Sequence, residues 1–316
     1  MTQHESPSLQ TNTASIVDVT GRSVVELTGT DALDFLHRLS TNDLSKLAIG
    51  DVVQTVLTNE KGRIVDVISV LKRSSETLLL IGQTQGGESL RQWLERYVIM
   101  EDVRVQNVTN GYTHLLLYSY PAGLPDHSRT ISQNAIQLDP LFQQGKKAIT
   151  FTERWGNTEL QHILCPREWH DALSRILEDQ GFASKDTNEF EFFRISNGIP
   201  AYPNELSTEY NPLEAGLVAF VSFTKGCYIG QEVLARLDTY KKVQRTIVRL
   251  RMGALPLTLP QRLFSSNEEV GMITSAASSP QSQEVRGLAF IKATRQNTSS
   301  LYFLKNDQKV IVQIES

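Results

Sequence analysis

The sequence has few cysteines and no long apolar run, and these two absences limit what the protein can be. Only Cys165 and Cys227 are cysteines among 316 residues, too few for a disulfide scaffold or a four-thiolate zinc or iron–sulfur site within one chain. No apolar run approaches the ~20 residues that span a bilayer. The sequence therefore predicts no membrane segment, no metal site and a reducing, cytoplasmic compartment.

The chain also lacks a strong excess of either charge. Its formal net charge is −4, and it is 40% hydrophobic and 21% charged, which are ordinary values for a globular protein. No overall field attracts nucleic acid, so composition does not favour a nucleic-acid partner. Residues 1–15 have neither the basic nor the apolar segment of a targeting peptide, and we expect a disordered tail there.

Secondary-structure propensity does not explain one short segment, residues 225–232, which reads Lys-Gly-Cys-Tyr-Ile-Gly-Gln-Glu. Its two glycines indicate a tight turn or a close approach of another group, and helix formers follow from Gln231. A thiol near a helix N-terminus and beside Lys225 favours the thiolate form, which makes Cys227 a candidate reactive residue. The alternative interpretation is a structural cysteine buried in a turn.

A predicted hairpin precedes this segment in the chain. Val52–Leu57 and Ile64–Leu71 are apolar runs typical of strands, and the polar residues 58–63 between them contain a turn glycine. Residues 121–144 are rich in proline, serine and glutamine without periodicity, and they predict a long loop.

Basic residues cluster after the octapeptide. Apolar and polar residues alternate along residues 243–252. This pattern predicts a half-buried strand with Arg245, Arg249 and Arg251 on its solvated face. A binding face for RNA or for a polyglutamate tail is the alternative interpretation. Arg236 lies one helical turn beyond Glu232, where it could meet a carboxylate.

The octapeptide resembles the signature of the YgfZ-type folate-binding proteins, which are relatives of the glycine-cleavage T-protein, an aminomethyltransferase. Further similarity lies in the hairpin, in residues 194–217 and in residues 270–291. It extends from about Ser23 to the end of the chain. The resemblance implies an α+β, T-protein-like folate-binding fold, with a mixed α+β region at residues 16–240 and a C-terminal β-barrel at residues 241–316.

The resemblance also implies tetrahydrofolate or a derivative as the cofactor, together with a set of site residues. Cys227 is the expected thiol or redox residue. The expected folate-binding residues are Asn59, Lys61, Arg63, Asp66, Gln161, Arg194, Glu214, Lys225, Tyr228, Gln231, Glu232 and Arg236. Aminomethyltransferases carry two aspartates on the second hairpin strand, and the second is tied to transfer. Here the first is Asp66, but the second position is Val67, which cannot hydrogen-bond to the folate amine.

Three functions are therefore open at the level of sequence. The favoured hypothesis is a tetrahydrofolate-binding protein of the YgfZ type that supports iron–sulfur cluster assembly or repair, with reduced folate and iron–sulfur assembly proteins as partners. The alternative is an aminomethyltransferase of one-carbon metabolism, which Val67 opposes. The third is an RNA-binding adaptor related to tRNA modification, which would use the basic residues. The sequence does not decide whether Cys227 is reactive or structural.

Overall fold

In the computed structural model, the described residues are 14–119, 148–295, 298 and 300–315. The loop predicted at residues 121–144 lies outside them, as does most of the predicted tail, while Ser15 begins the first strand. The division of the chain into a region at 16–240 and a barrel domain at 241–316 stays a prediction.

The described residues contain sixteen strands and five α-helices. The strands are Ser15–Asp18 (β1), Arg22–Thr28 (β2), Val52–Thr58 (β3), Ile64–Lys72 (β4), Thr77–Gln85 (β5), Arg104–Asn107 (β6), Tyr112–Tyr118 (β7), Ile149–Trp155 (β8), Thr158–Pro166 (β9), Ala183–Ser184 (β10), Arg245–Met252 (β11), Gln261–Ser265 (β12), Glu268–Ser278 (β13), Val285–Lys292 (β14), Leu301–Lys305 (β15) and Gln308–Glu315 (β16). The helices are Ala32–Leu39 (α1), Glu88–Glu95 (α2), His170–Asp179 (α3), Thr187–Ser196 (α4) and Gln231–Thr239 (α5).

Two five-stranded sheets stack face to face. The first has the order β3-β4-β5-β2-β6, and the second has the order β10-β1-β7-β9-β8. β4 reads as an almost continuous apolar run because both of its faces are covered. Ile68 and Val70 face α1 and α2, whereas Leu71 packs toward the second sheet. Helix α3 covers the outer face of the second sheet.

Six strands close a C-terminal barrel in the order β11-β14-β13-β12-β15-β16. Its interior holds apolar side chains from every strand, including Leu250, Leu263, Ile273 and Phe303. Leu250 and Met252 of β11 are buried, while Arg251 between them is exposed. Residues 245–249 of the same strand are all half-buried, so the alternation predicted from residues 243–252 is observed only in its last three residues.

A central aromatic cluster joins the two sheets, α4 and the barrel. Tyr118 lies 4.4 Å from Phe193 of α4 between ring centroids, and Tyr210 stacks at 3.5 Å on Phe290 of β14. Aromatic pairs of this kind add about 0.5–1.5 kcal/mol each beyond the area that they bury. The barrel is therefore packed against the α+β region.

A buried ion pair fastens the same junction. Arg194 of α4 is 2% exposed, and its Nη1 lies 3.3 Å from Oε2 of Glu205. Its Nη2 donates to the Ser275 hydroxyl of β13 at 2.8 Å, and Glu205 also accepts from the hydroxyls of Thr274 and Ser275. Because each charge has several hydrogen-bond partners, the cost of removing both from water is offset.

Removing the arginine should destabilise the protein strongly. We expect Arg194→Met to lower the free energy of unfolding by about 3–5 kcal/mol, because Glu205 would be left buried without its partner. Urea unfolding followed by circular dichroism measures this loss. The matched control is Arg154→Met, which removes an arginine that is 74% exposed and paired with Glu159, and it should cost about 0–1 kcal/mol. Equal losses in the two variants would contradict the assignment.

Candidate functional site

Two neighbouring cavities open where the end of β5 meets the loop after α4. The first encloses about 290 Å³ and is lined by Val65, Asp66, Thr84, Ser89, Leu90, Tyr202, Pro203, Ser207 and Thr208. The second encloses about 220 Å³ and is lined by Val17, Asp18, Val19, Thr20, Arg22, Gln83, Gln85, Thr187, Phe190, Glu191, Arg194, Ala201 and Tyr202. Tyr202 lines both cavities, so we treat them as two halves of one candidate site.

Asp66 is a buried carboxylate at the first cavity. Its Oδ1 accepts the backbone N–H groups of Val67, Gln83 and Thr84 at 2.8–3.3 Å, and its Oδ2 accepts the Thr84 hydroxyl at 2.7 Å. Burial raises the pKa of Asp66 to about 6, although these hydrogen bonds act in the opposite direction. Gly82 allows the contact, because a Cβ there would lie 2.4 Å from Oδ2.

Val67, the next residue on β4, has a different environment. It is 1% exposed and belongs to the central apolar cluster, and it lines neither cavity. The two aspartate positions of the hairpin strand are therefore not equivalent in this fold. The position that lines a cavity keeps its carboxylate in this chain, and the position that lost it lies in the apolar core.

The second cavity is more polar than the first. Arg22, Gln83 and Gln85 line one side of it, and Glu191 and Arg194 of α4 line another. Glu191 binds Arg194 through both of its oxygens, at 2.7 and 2.6 Å. The expected site residue Arg194 thus lines a cavity, although its guanidinium is also part of the ion pair that holds α4 to the barrel.

A buried polar network lies behind the second cavity. Glu153 accepts from Ser69 at 2.7 Å and from the Trp155 indole at 3.1 Å, and His162 Nε2 lies 3.3 Å from its carboxylate. Burial would raise the pKa of Glu153, but His162, Ser69 and Arg22 together lower it to about 2. His114 continues the network at 2.8 Å from His162, and burial lowers the pKa of His114 well below its ordinary value.

The prediction that Gln161 binds a ligand edge is not supported by its position. Side chains alternate along a strand, and Ile163 and Cys165, on the same face as Gln161, pack with α3. The neighbouring residue His162 faces the buried Glu153 instead. Cys165 is fully buried, as expected for inert packing, and burial raises the pKa of its thiol to about 11.

The three hairpin residues predicted to bind folate are occupied within the fold or exposed. Asn59 Oδ1 accepts the backbone N–H groups of Lys61 and Arg63, both at 3.0 Å, and so stabilises its own turn. Arg63 donates to Glu214 at 3.1 Å, and Lys61 is exposed. None of the three lines either cavity.

Glu214, another expected folate ligand, connects the hairpin to the barrel. It receives Arg63 on Oε2, Arg245 of β11 on Oε1 at 3.1 Å, and the backbone N–H of Asn211 at 3.1 Å. Both carboxylate oxygens therefore have partners inside the protein, and its position indicates a structural role.

Lys225 of the octapeptide anchors a helix end. Its ammonium donates to the carbonyl oxygens of His37, Ser40 and Asn42, the last two at 2.7 and 2.9 Å. These carbonyls lie at and just beyond the C-terminus of α1, where a cation is favourable. Burial lowers the pKa of Lys225 to about 8, partly opposed by Asp43. The lysine is thus held by backbone carbonyls, which differs from the expected role of activating the Cys227 thiol.

Cys227 is exposed and lines neither cavity. The prediction of a reactive thiol at the rim of the folate pocket therefore finds no support in its position, and neither does the alternative of a buried structural cysteine. Tyr228 is 7% exposed and packs with Leu213 and Leu234, with the Lys225 ammonium 5.4 Å from its ring centroid. Burial raises the pKa of Tyr228 to about 12.

The last three expected ligands lie on α5. Gln231 reaches back to the Lys225 carbonyl at 3.5 Å, a long contact, and Glu232 and Arg236 are exposed. The predicted meeting of Arg236 with a carboxylate is not observed among the described residues. All three lie outside both cavities.

The basic face predicted on β11 is largely neutralised within the fold. Arg245 pairs with Glu214, Arg251 pairs with Glu284 at 3.1 Å, and Arg249 donates to the Ser196 carbonyl. A surface whose arginines already have partners attracts nucleic acid weakly, so the structure does not support the RNA-binding alternative.

Metal-binding clusters and membrane helices are both absent from the described residues. No group of three or more histidine, cysteine, aspartate or glutamate side chains in these ranges could hold a metal ion. Within the same ranges, no helix is both long and apolar enough to cross a membrane.

The cavity-lining residues that sequence reasoning missed include Arg22, Gln83, Thr84 and Tyr202. A signal was present for two of them, because the apolar run 78–81 of β5 changes to Gln83 and Thr84 while the strand continues. Polar side chains at the end of a buried strand are typical of a binding site. Arg22 and Tyr202 carry no such pattern in the sequence.

The glycine before α5 should be essential for docking the octapeptide on the hairpin. Gly230 has φ +82°, and a Cβ there would lie 2.6 Å from the Asn59 carbonyl and 2.9 Å from Gly62 Cα. We expect Gly230→Ala to cost roughly 1–3 kcal/mol in the free energy of unfolding. Gly226→Ala is the control, since a Cβ there meets nothing within 4 Å. Thermal unfolding of both variants is the measurement, and equal melting temperatures would contradict the close approach.

Substitutions of the lysine and of the cysteine in the octapeptide should also have unequal effects on the free energy of unfolding. Lys225→Met leaves three carbonyls without their donor and should cost roughly 1–3 kcal/mol. Cys227→Ala changes an exposed side chain and should stay within about 0.5 kcal/mol of the parent protein. Denaturant unfolding compares the two, and a larger loss for the cysteine variant would overturn the structural interpretation of Lys225.

Comparison with known proteins identifies relatives that align with about nine-tenths of the chain. Residues 3–118 match the family model of the GCVT N-terminal domain. The chain is 29% identical over 293 residues to an aminomethyltransferase of Caldanaerobacter subterraneus subsp. tengcongensis, which covers 89% of this chain and 77% of the relative. It is also 29% identical over 298 residues to an aminomethyltransferase of Bacillus cytotoxicus, covering 88% and 78% respectively.

The fold agrees with these relatives. The crystal structure of glycine cleavage system aminomethyltransferase T from Bartonella henselae matches with a TM-score of 0.77 at 17% identity, over 96% of this chain and 85% of that chain. The predicted T-protein-like fold with its C-terminal barrel is thereby confirmed. The predicted role in iron–sulfur cluster assembly or repair is wrong, because both relatives at 29% identity are aminomethyltransferases. The comparisons support the wider glycine-cleavage T-protein superfamily and not its YgfZ-type group.

Proposed function

We propose that this protein is an aminomethyltransferase of one-carbon metabolism that forms methylene-tetrahydrofolate from an aminomethyl donor. The observation that carries the proposal is the buried carboxylate of Asp66 at the first cavity. The similarity to aminomethyltransferases over about nine-tenths of the chain supports the reaction class, and the expected tetrahydrofolate cofactor agrees with that similarity.

The objection raised by Val67 loses its force because of where the two residues lie. A side chain acts on a ligand only if it reaches the space that the ligand occupies, and Val67 packs in the central apolar cluster. Asp66 lines the cavity. We therefore assign to Asp66 the role of the carboxylate that holds the folate amine.

The charge on Asp66 is costly, which favours a functional interpretation. Its raised pKa of about 6 corresponds to roughly 3 kcal/mol of unfavourable free energy for holding the carboxylate charged at neutral pH. A strongly perturbed carboxyl group in a cavity is a frequent mark of an active site. Among the described residues, no cation forms a salt bridge with it, although the charge of Arg22 attracts it at longer range, so an amine of the substrate would be its direct partner.

The remaining lining residues fit an aromatic ligand with polar edges. Leu90 and Pro203 provide apolar surface, whereas Ser89, Ser207 and Thr208 provide hydroxyl groups that donate and accept. Oδ2 of Asp66 accepts only the Thr84 hydroxyl among the described residues, so it retains an acceptor position for a ligand N–H. In this arrangement Asp66 orients the folate amine and takes up its proton as the amine forms a carbon–nitrogen bond to the one-carbon unit. Asp66 then returns the proton to the donor's amine, which leaves as ammonia when its own bond to the one-carbon unit breaks.

Asp66→Asn tests the assignment. The amide retains one oxygen for the three backbone N–H groups and offers Nδ2 to the Thr84 hydroxyl, so the fold should persist. We expect methylene-tetrahydrofolate formation from an aminomethyl donor to fall by about 10²–10⁴-fold, the usual effect of losing an acid–base group. Asp51→Asn, which alters an aspartate in an exposed turn, is the control. Full activity of Asp66→Asn with a native circular dichroism spectrum would refute the proposal.

The pH dependence follows from the same group. The carboxylate is the active form, and its pKa lies near 6, so the rate at subsaturating substrate should rise with pH through about 6 and then level off. The residual rate of Asp66→Asn should not show this rise between pH 5 and 7. Steady-state rates between pH 5 and 8 provide the measurement, and the same rise in the variant would assign the titration to another group.

A further inference from the structure

The second cavity contains an arginine that forms no direct pair. Arg22 at the start of β2 lines it, and within the described part of the chain its guanidinium makes no hydrogen bond or salt bridge. Burial lowers the pKa of Arg22, with Arg194 acting in the same direction, while the charges of Glu153, Glu191 and Asp66 oppose them. These carboxylates attract the guanidinium without hydrogen-bonding it, so its N–H donors are left unsatisfied.

The neighbouring carboxylates are committed to other groups. Both oxygens of Glu191 bind Arg194, at 2.7 and 2.6 Å. Glu153 accepts from Ser69, Trp155 and Gln83, and His162 lies beside it. None of these carboxylates hydrogen-bonds Arg22, so the guanidinium keeps its donors for a ligand.

Asp18 is the remaining acid at this cavity. One of its oxygens accepts the backbone N–H of Thr20 at 2.7 Å, and the other lies 3.1 Å from His170 Nε2. Its side chain is 49% exposed, so its charge is largely screened by solvent. The cavity therefore presents one guanidinium whose N–H donors have no acceptor among the described residues, with the side-chain amides of Gln83 and Gln85 beside it.

We infer that the second cavity is a carboxylate-binding subsite, in which Arg22 pairs with a carboxylate of the ligand. A guanidinium presents two parallel N–H donors that match the two oxygens of a carboxylate. The inference rests on the proposed function for the identity of the ligand. Two chemical sources of the carboxylate fit a folate-dependent transferase: the glutamate end of the reduced folate, and a carboxylate carried by the donor of the aminomethyl group.

The position of the subsite fits either source. Thr84 lines the first cavity, and its neighbours Gln83 and Gln85 line the second. Tyr202 lines both cavities. A folate held at Asp66 and a group held at Arg22 would therefore lie in adjacent cavities at the end of β5. A ligand that extends past Tyr202, or two ligands side by side, would bring the carboxylate to Arg22.

Calorimetry of Arg22→Met distinguishes the sources. The probes are tetrahydrofolate, tetrahydropteroate, which lacks the glutamate, and sarcosine, a small amine with a carboxylate that stands in for the donor. If Arg22 holds the glutamate end, the variant should bind tetrahydrofolate about 10–100-fold more weakly, the range for a charged bidentate pair, and tetrahydropteroate as well as the parent protein does. If it holds the donor, only sarcosine binding should weaken. Arg22→Lys should recover part of the loss in either case.

Arg104→Met is the matched control, because Arg104 is an exposed arginine on β6 of the same sheet. It should leave all three affinities unchanged. Unchanged affinities of Arg22→Met for all three probes, with a native melting temperature, would overturn the inference while leaving the proposed function intact. Conversely, a parent protein that binds sarcosine through Arg22 but does not bind tetrahydrofolate would retain the carboxylate subsite and remove the proposed function.

Discussion

The buried contact between Arg194 and Glu205 is the interaction on which the rest of the structure depends. It joins α4, the loop that carries Tyr202 and the barrel strand β13 through one guanidinium and one carboxylate. The same guanidinium lines the second cavity. Since the cavity walls come from elements that are distant in the chain, their spacing depends on this contact, which acts with the central aromatic cluster to hold the barrel against the two sheets.

The candidate site combines charges that the fold satisfies with charges that it does not. Arg194, Glu191 and Glu153 have partners inside the protein, and these pairs hold the walls in place. Asp66 and Arg22, one at each cavity, form no salt bridge among the described residues, although their opposite charges attract each other at longer range. A buried charged group without a direct ion pair contributes little to stability. The arrangement of these two groups is explained if a ligand brings an amine to the first and a carboxylate to the second.

The octapeptide illustrates how a recognisable motif differs from a binding site. Its residue types are explained by packing: Gly230 permits contact with the hairpin, Lys225 caps α1, and Tyr228 fills a small apolar cluster. The exposed Cys227 is the residue that packing does not explain. The motif thus joins the hairpin, α1 and α5, and the residues that line the cavities come from other parts of the chain.

The sequence by itself determined the strands and the barrel, because alternating and continuous apolar runs depend on local chain geometry, and the resemblance extended this to the superfamily fold. The resemblance also predicted Asp66 and Arg194 as site residues, and each lines one of the two cavities. Only the tertiary structure decided that Asp66 rather than Val67 lines a cavity, that His162 rather than Gln161 faces the buried glutamate, and that Arg22 has no partner among the residues described. These facts depend on which face of a strand is covered and by which distant element, and a linear pattern does not contain that information.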